Sequence, residues 1–215
     1  MRDVEASIRS RRSIRRYSQK EVPEGAVVEI LDMARWSPSW ANTQPWSVFA
    51  VTGDTLERIK AAYHERAAAG VERQFEVSRP LPEWPPEMAA RTRQLMASRS
   101  ALASPSEPGP GNLDFFGAPW LLLFAIDGRL QAEYACFDTG LFVQTVCLAA
   151  HEHGLGTCIM AMGVGYPDVL HAEIPAAEGK RFVVAVALGY PDLEAPLNRF
   201  DRSRADLREL VSFVR

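Results

Sequence analysis

Arg9, Arg11, Arg12, Arg15 and Arg16 place five guanidinium groups within eight consecutive residues of a chain whose formal net charge is -3. Guanidinium groups stay charged at any relevant pH and grip phosphate or carboxylate oxygens through paired N–H donors. A local excess of one sign on an acidic background suggests a bound anion, provided that the groups converge in space. Arg202 and Arg204, far along the chain, and the Ser13 hydroxyl could complete such a site. The anion could be a nucleic acid, a membrane surface or a small phosphate; a solvated helix face is the plain alternative. Nucleic-acid binders carry a broad positive footprint interleaved with aromatic platforms. This chain has 24 Lys and Arg against 27 Asp and Glu, and only Tyr17 stands beside the run. The expectation is a small phosphorylated ligand, with no nucleic acid and no membrane as partner.

Residues 37–46 (SPSWANTQPW) form a second constellation. Pro38 and Pro45 stiffen the segment, while Ser39, Asn42 and Gln44 offer donors and acceptors between the apolar walls of Trp40 and Trp46. An amide-rich, rigid loop suits a heteroaromatic ring with alternating N–H and C=O groups, such as a flavin or a base. A turn leading into a strand, with Trp46 in the core, reads equally well. Gly163 and Gly165 lack the further spacing of a dinucleotide-binding turn. Cys136, Cys147 and Cys158 are odd in number and widely spaced, which argues against a disulfide scaffold. His151 and His153 would point apart on a helix, so no metal site is expected.

The elements that must position these groups follow from periodicity. Val4 and Ile8 predict a short helix over 3–12. Pro23 opens a stronger one, with Val27, Val28, Ile30, Leu31 and Ala34 as its apolar stripe. An ordered loop over 37–45 leads to a strand over 46–51 and a helix over 55–69. Residues 71–112 are irregular: Pro80, Pro82, Pro85 and Pro86 surround Trp84, a helix is expected over 87–103, and 104–111 reads as a Pro/Gly linker. This stretch reads as an insertion or lid over a core. The apolar run 119–127 predicts a buried strand, followed by a long helix over 131–153 that Gly154 and Gly156 end. A second buried strand is expected over 181–189. A turn-rich tail then leads to a short helix containing Leu207, Leu210 and Val211. The long helix carries Phe137, Leu141, Phe142, Val146 and Leu148 on more than one face, which suggests burial and an oligomer. Residues 1–215 therefore read as one α+β domain, a three-layer α/β/α arrangement with few strands. Apolar residues make up 47 %, the longest apolar run is too short to span a bilayer, and no signal-peptide pattern is visible, so a cytoplasmic location is expected.

Residues 11–15 (RRSIR), 37–46, 117–119 (GAP), 154–157 (GLGT) and 202–204 (RSR), in this order, resemble the flavin-dependent nitroreductase family. The resemblance implies a nitroreductase-like fold, with a central, mostly antiparallel sheet and an intertwined homodimer holding FMN at its interface. It also implies electron transfer from NADH or NADPH to a nitroaromatic, quinone or related small aromatic acceptor by a ping-pong route. Arg11, Arg12, Ser13 and Arg15 would take the FMN phosphate and ribityl hydroxyls, joined by Arg202 and Arg204. Pro38, Ser39, Trp40 and Asn42 would line the flavin from the other subunit, with Gln44 supporting that loop. Ile159, Met160, Ala161 and Met162 would lie beside the isoalloxazine, and Asn112 at its pyrimidine side. No side chain is required as acid or base, because the flavin carries the chemistry. Two features depart from the pattern: Trp40 stands where many relatives have a small residue, and Met160-Ala161-Met162 replaces a proline-and-glycine character beside the ring. Reductive dehalogenation or enone reduction on the same scaffold, a flavin-binding protein without turnover, and a nucleic-acid binder are the alternatives.

Overall fold

The structure, a computed structural model, describes residues 4–77, 83–102 and 109–215. Residue 3 of the first expected helix, Pro80, Pro82, Ala103 and residues 104–108 of the expected linker lie outside them. The helices are α1 (Val4–Ser10), α2 (Glu24–Ala34), α3 (Gly53–Ala68), α4 (Pro86–Ser100), α5 (Ala132–Glu152), α6 (Pro167–Glu173) and α7 (Leu207–Leu210). The strands are β1 (Trp46–Val51), β2 (Trp120–Asp127), β3 (Gly156–Met160) and β4 (Lys180–Gly189).

The four strands pair in the order β1-β2-β4-β3, and every pairing is antiparallel. The run Trp120–Asp127 takes the centre because it is apolar on both faces. Successive strand residues point to opposite sides, and helices cover both. Leu121, Leu123 and Ala125 pack on one side with Leu56, Ile59 and Tyr63 of α3 and with Leu170 of α6. Trp120, Leu122 and Phe124 pack on the other with Val27 and Ile30 of α2 and with Phe142, Val146 and Cys147 of α5. This is the expected three-layer arrangement.

Four local expectations need correction. The first helix ends at Ser10, so Arg11 and Arg12 are not helical. Pro23 caps α2 in an extended conformation rather than sitting in its first turn. Within this chain α5 is covered on one side only: Phe142 and Val146 are buried, whereas Tyr134 and Phe137 are 67% and 65% exposed. The residues after Gly154, read as a helix end, form the edge strand β3.

Candidate functional site

The arginine segment is extended chain, and this decides which of its side chains converge. Ile14 donates its N–H to the Thr157 carbonyl at 2.8 Å, and Ser13 bridges Thr157 in parallel fashion, so the segment lies along β3. Ile14 is buried and anchors it. Extended chain alternates its side chains, and Arg11, Ser13 and Arg15 share one cavity that Arg12, Ile14 and Arg16 do not line.

Arg11, Ser13 and Arg15 line a cavity of about 610 Å³, which Arg202 and Arg204 enter from the C-terminal tail and Arg91 from α4. Burial, and then the charges of Arg12, Arg204 and Arg11, pull the Arg202 guanidinium below its ordinary value. Such crowding of like charge is relieved by an anion between the groups. The Arg202 guanidinium also donates to the backbone carbonyls of Arg9 and Arg11, pinning the tail to the segment. Arg204 makes a local bond to the Ser203 carbonyl at 2.8 Å. Arg15 lies over the rings of Phe116 and Phe200, at 5.8 and 5.7 Å from their centroids.

Arg12 is placed elsewhere. Its guanidinium donates to the carbonyls of Asn198 at 2.7 Å and Phe200 at 2.9 Å, and it lines a different cavity. Its donors tie the tail down rather than facing the arginine cavity.

The loop of residues 37–46 is set apart from that cavity. Ser39 Oγ accepts the N–H of Gln44 at 2.9 Å, and Gln44 Nε2 donates to the Asn42 carbonyl at 3.2 Å. Ala41, Asn42 and Gln44 all have positive φ, a strained set that the surrounding bonds hold. The Trp40 N–H donates to Asp138 Oδ2 at 3.0 Å, which docks the loop on α5, and the Trp40 ring lies 6.2 Å from that of Tyr134. Trp40 is 68% exposed. Trp46 is half-buried, stacks on Phe142 at 4.8 Å and packs against the core.

At the end of β3, Ile159 and Ala161 face outward, Met162 is half-buried, and the Met160 side chain is in the core. The following turn presses on β4: a Cβ on Gly163 would stand 2.7 Å from that of Ala185, so only glycine fits. Asn112 lines a cavity of about 290 Å³ together with Arg15. The loop that carries it is held by Asp114, which accepts from the Gly111 N–H at 3.1 Å and contacts His64 of α3 at 2.7 Å.

Asn198 was not read from the sequence. It is 3% exposed and bonds the backbone of Arg15, Arg16 and Asp192. An asparagine in a Pro-rich tail reads as an ordinary turn residue, and no local pattern separates it from one.

Cys147 and Cys158 are buried, and burial pushes both thiols up, so they serve as small core residues. Among the described residues no group of His, Cys, Asp or Glu could hold a metal ion, and no helix is long and apolar enough to cross a membrane.

Comparison with known proteins agrees on the kind of fold. A family model described as the nitroreductase family matches residues 8–190. The chain is 30% identical to a 4-nitrobenzoate reductase of Pseudomonas putida, covering 99% of this chain and 96% of that protein. It is 43% identical to an NADH dehydrogenase of Thermus thermophilus, covering 95% of each. Among solved structures, an FMN-dependent nitroreductase of Mycobacterium smegmatis in complex with NADPH superposes with a TM-score of 0.89 at 26% identity, covering 98% of this chain and 97% of that one.

Proposed function

The chain belongs to the nitroreductase family and is an enzyme of the flavin oxidoreductase kind, and we propose that it uses FMN to carry electrons from NADH or NADPH to a nitroaromatic acceptor. The observation that carries this reading is the convergence of Arg11, Ser13 and Arg15 with Arg202 and Arg204 around one cavity of about 610 Å³. Crowded guanidiniums beside a hydroxyl suit a phosphomonoester, and the cavity volume leaves room for the rest of a mononucleotide. The names of the relatives support the same acceptor class, with nitrobenzoate and chloronitrobenzene reductases among them.

Arg11, Ser13 and Arg204 hold the phosphate. Arg202 shapes the site by pinning the tail to the arginine segment, and Arg12 does the same from the opposite side. Arg15, propped on Phe116 and Phe200, faces the ring with Asn112 nearby. Ile159 and Ala161 offer side chains to the flavin, while Met160 and Met162 contribute backbone. Bound FMN would supply the redox chemistry, two-electron exchange with the nicotinamide donor and with the acceptor in turn. The overall reaction balances as NAD(P)H, a proton and a nitroarene giving NAD(P)⁺, a nitrosoarene and water. No side chain must donate or accept a proton for the flavin to be reduced. Quinones and related aromatic acceptors fit the same open site.

The active form in this reading is a homodimer. Pro38, Ser39, Trp40, Asn42 and Gln44 do not line the arginine cavity of their own chain; the Trp40 ring lies by that of Tyr134 on α5, a helix on which Tyr134 and Phe137 are exposed. An exposed aromatic face of this kind is the composition of a buried interface. Packing against a second copy would bring the loop to the partner's flavin. Residues 1–215 stay one domain in this reading, with an insertion or lid at about 71–112, in which α4 is the described helix. This helix buries no residue in the core and reaches the tail through Arg91 and Glu209, which pair at 3.1 Å.

The test is oxidation of NADH or NADPH by FMN-loaded protein with and without a nitroarene, under anaerobic conditions. Acceptor-dependent oxidation supports the reading, and a reduced flavin that no nitroarene or quinone reoxidises removes it.

A further inference from the structure

Arg15 lines two cavities. The smaller, of about 290 Å³, opens beneath α4, where Arg16 and Arg99 join Arg15. Its remaining wall includes Met96, Phe116 and Leu197. Arg16 is held in place by the carbonyls of Arg15 and Pro110, each at 2.8 Å. The Nε of Arg99 is buried and has no hydrogen-bond partner. Among the described residues no ion pair includes Arg15, Arg16 or Arg99. Burial, and then the neighbouring charge of Arg15, pull the Arg99 guanidinium below its ordinary value. A buried, unpaired donor on a cation is costly unless a ligand completes it.

A cationic end on an apolar, aromatic wall is the complement of an aromatic acid: a ring for the wall and an anionic head for the guanidiniums. Arg15 is already assigned to the flavin, so Arg16 and Arg99 are cations beyond what the cofactor requires. Arg99 rides on α4, a helix that buries no residue in the core. Resting on the flavin reading above, we propose that this cavity is a carboxylate subsite for the acceptor. Arg99, with Arg16, makes the enzyme selective for nitroarenes that bear a carboxylate. The volume suits one benzoate-sized ring. A nucleotide phosphate of the donor shares the anionic chemistry and is separated from the acceptor by the experiment.

The experiment compares kcat/KM of the FMN-loaded enzyme for para-nitrobenzoate and for para-nitrobenzamide, its uncharged counterpart. The wild type is expected to prefer the acid. Arg99→Met is expected to lower that preference by about tenfold to a hundredfold, as for loss of a charge-assisted hydrogen bond. Arg99→Lys should restore part of it, since the charge returns without the planar fork. FMN content and bleaching by NADPH are measured on the same preparations, together with KM for NADH and NADPH. A yellow, reducible enzyme whose acid-to-amide ratio is the same in wild type and Arg99→Met overturns the subsite and leaves the flavin reading standing. So does an Arg99→Met effect confined to NADPH over NADH, which would assign the cavity to the donor phosphate. A protein that holds no FMN overturns both readings.

Discussion

The side-chain Oδ1 of Asn198 accepts the backbone N–H of Arg15 at 2.7 Å, across 183 residues of sequence. The Nδ2 of the same amide donates to the carbonyls of Arg16 and Asp192, both at 2.8 Å. One buried amide thus fixes the backbone from which the cavity arginines project, and only an amide offers an acceptor and two donors in one plane.

Asn198→Asp would turn the two donors into an acceptor facing two carbonyls, and Asn198→Ala would leave three backbone groups without their partner. Each is expected to destabilise the fold by about 2–4 kcal/mol, measured by urea denaturation. Each should also weaken FMN binding, because Arg15 loses its fixed backbone. Wild-type stability in both variants would remove Asn198 from this role.

The alternation of side chains along the arginine segment separates neighbours in sequence. Arg11→Met and Arg204→Met should weaken FMN affinity by about tenfold or more each, through loss of a charge-assisted contact. Arg12→Met should act chiefly on stability, by about 1–3 kcal/mol, since its donors serve the carbonyls of Asn198 and Phe200. Equilibrium dialysis of FMN beside thermal unfolding distinguishes the two classes. An Arg12 variant of normal stability that fails to bind FMN would contradict the assignment.

Close packing ties the segment to the sheet. A Cβ on Gly156 would stand 2.6 Å from Cγ1 and 2.9 Å from Cβ of Ile14. These are the stiff atoms of a β-branched side chain that is itself buried. Gly156→Ala should cost about 1–3 kcal/mol by overpacking and displace the Arg11 and Arg15 side chains. A variant with unchanged unfolding midpoint would show that β3 does not set the segment's position.

The loop that carries Asn112 should respond to acid. Burial alone would raise the Asp114 carboxyl, but hydrogen bonds from His64 and from the Gly111 N–H, with the charge of His64, hold it below the ordinary carboxylate value. A depressed folded value means that the contribution to stability is full above the unfolded value, near pH ~4, and is lost as pH falls through the folded one. Asp114→Asn should therefore be less stable than wild type at neutral pH, with the difference closing in acid below that point. A difference that stays constant as the pH is lowered would contradict the linkage.

The layers of this fold were legible because burial writes itself into long runs. Trp120–Asp127 is apolar at every position but the last and takes the centre of the sheet, and the strand expected over 181–189 is its antiparallel neighbour. β3 escaped notice because five residues (GTCIM) between a helix end and a turn show no alternation, and glycine and cysteine favour no strand. The first helix reads on to Arg12 because Val4 and Ile8 set a helical period that nothing local interrupts before Arg11. What ends it is the bond from Ile14 to Thr157, a tertiary contact. Once the segment is known to be extended, its alternation alone separates Arg11 and Arg15 from Arg12. Asn198 could not be found in this way, since its partners become neighbours only in the folded chain.

Binding of FMN by the cation cavity is the central claim, and titration of flavin-free protein with FMN tests it most directly. Visible absorbance is followed through the titration, and NADPH or NADH is then added without oxygen. Saturable binding with one FMN per chain, weakened in Arg11→Met and Arg204→Met, and bleaching by at least one donor are the predicted results. A wild-type protein that gives no saturable change in the flavin spectrum, or a variant lacking both arginines that binds FMN as tightly as the wild type, would contradict the account.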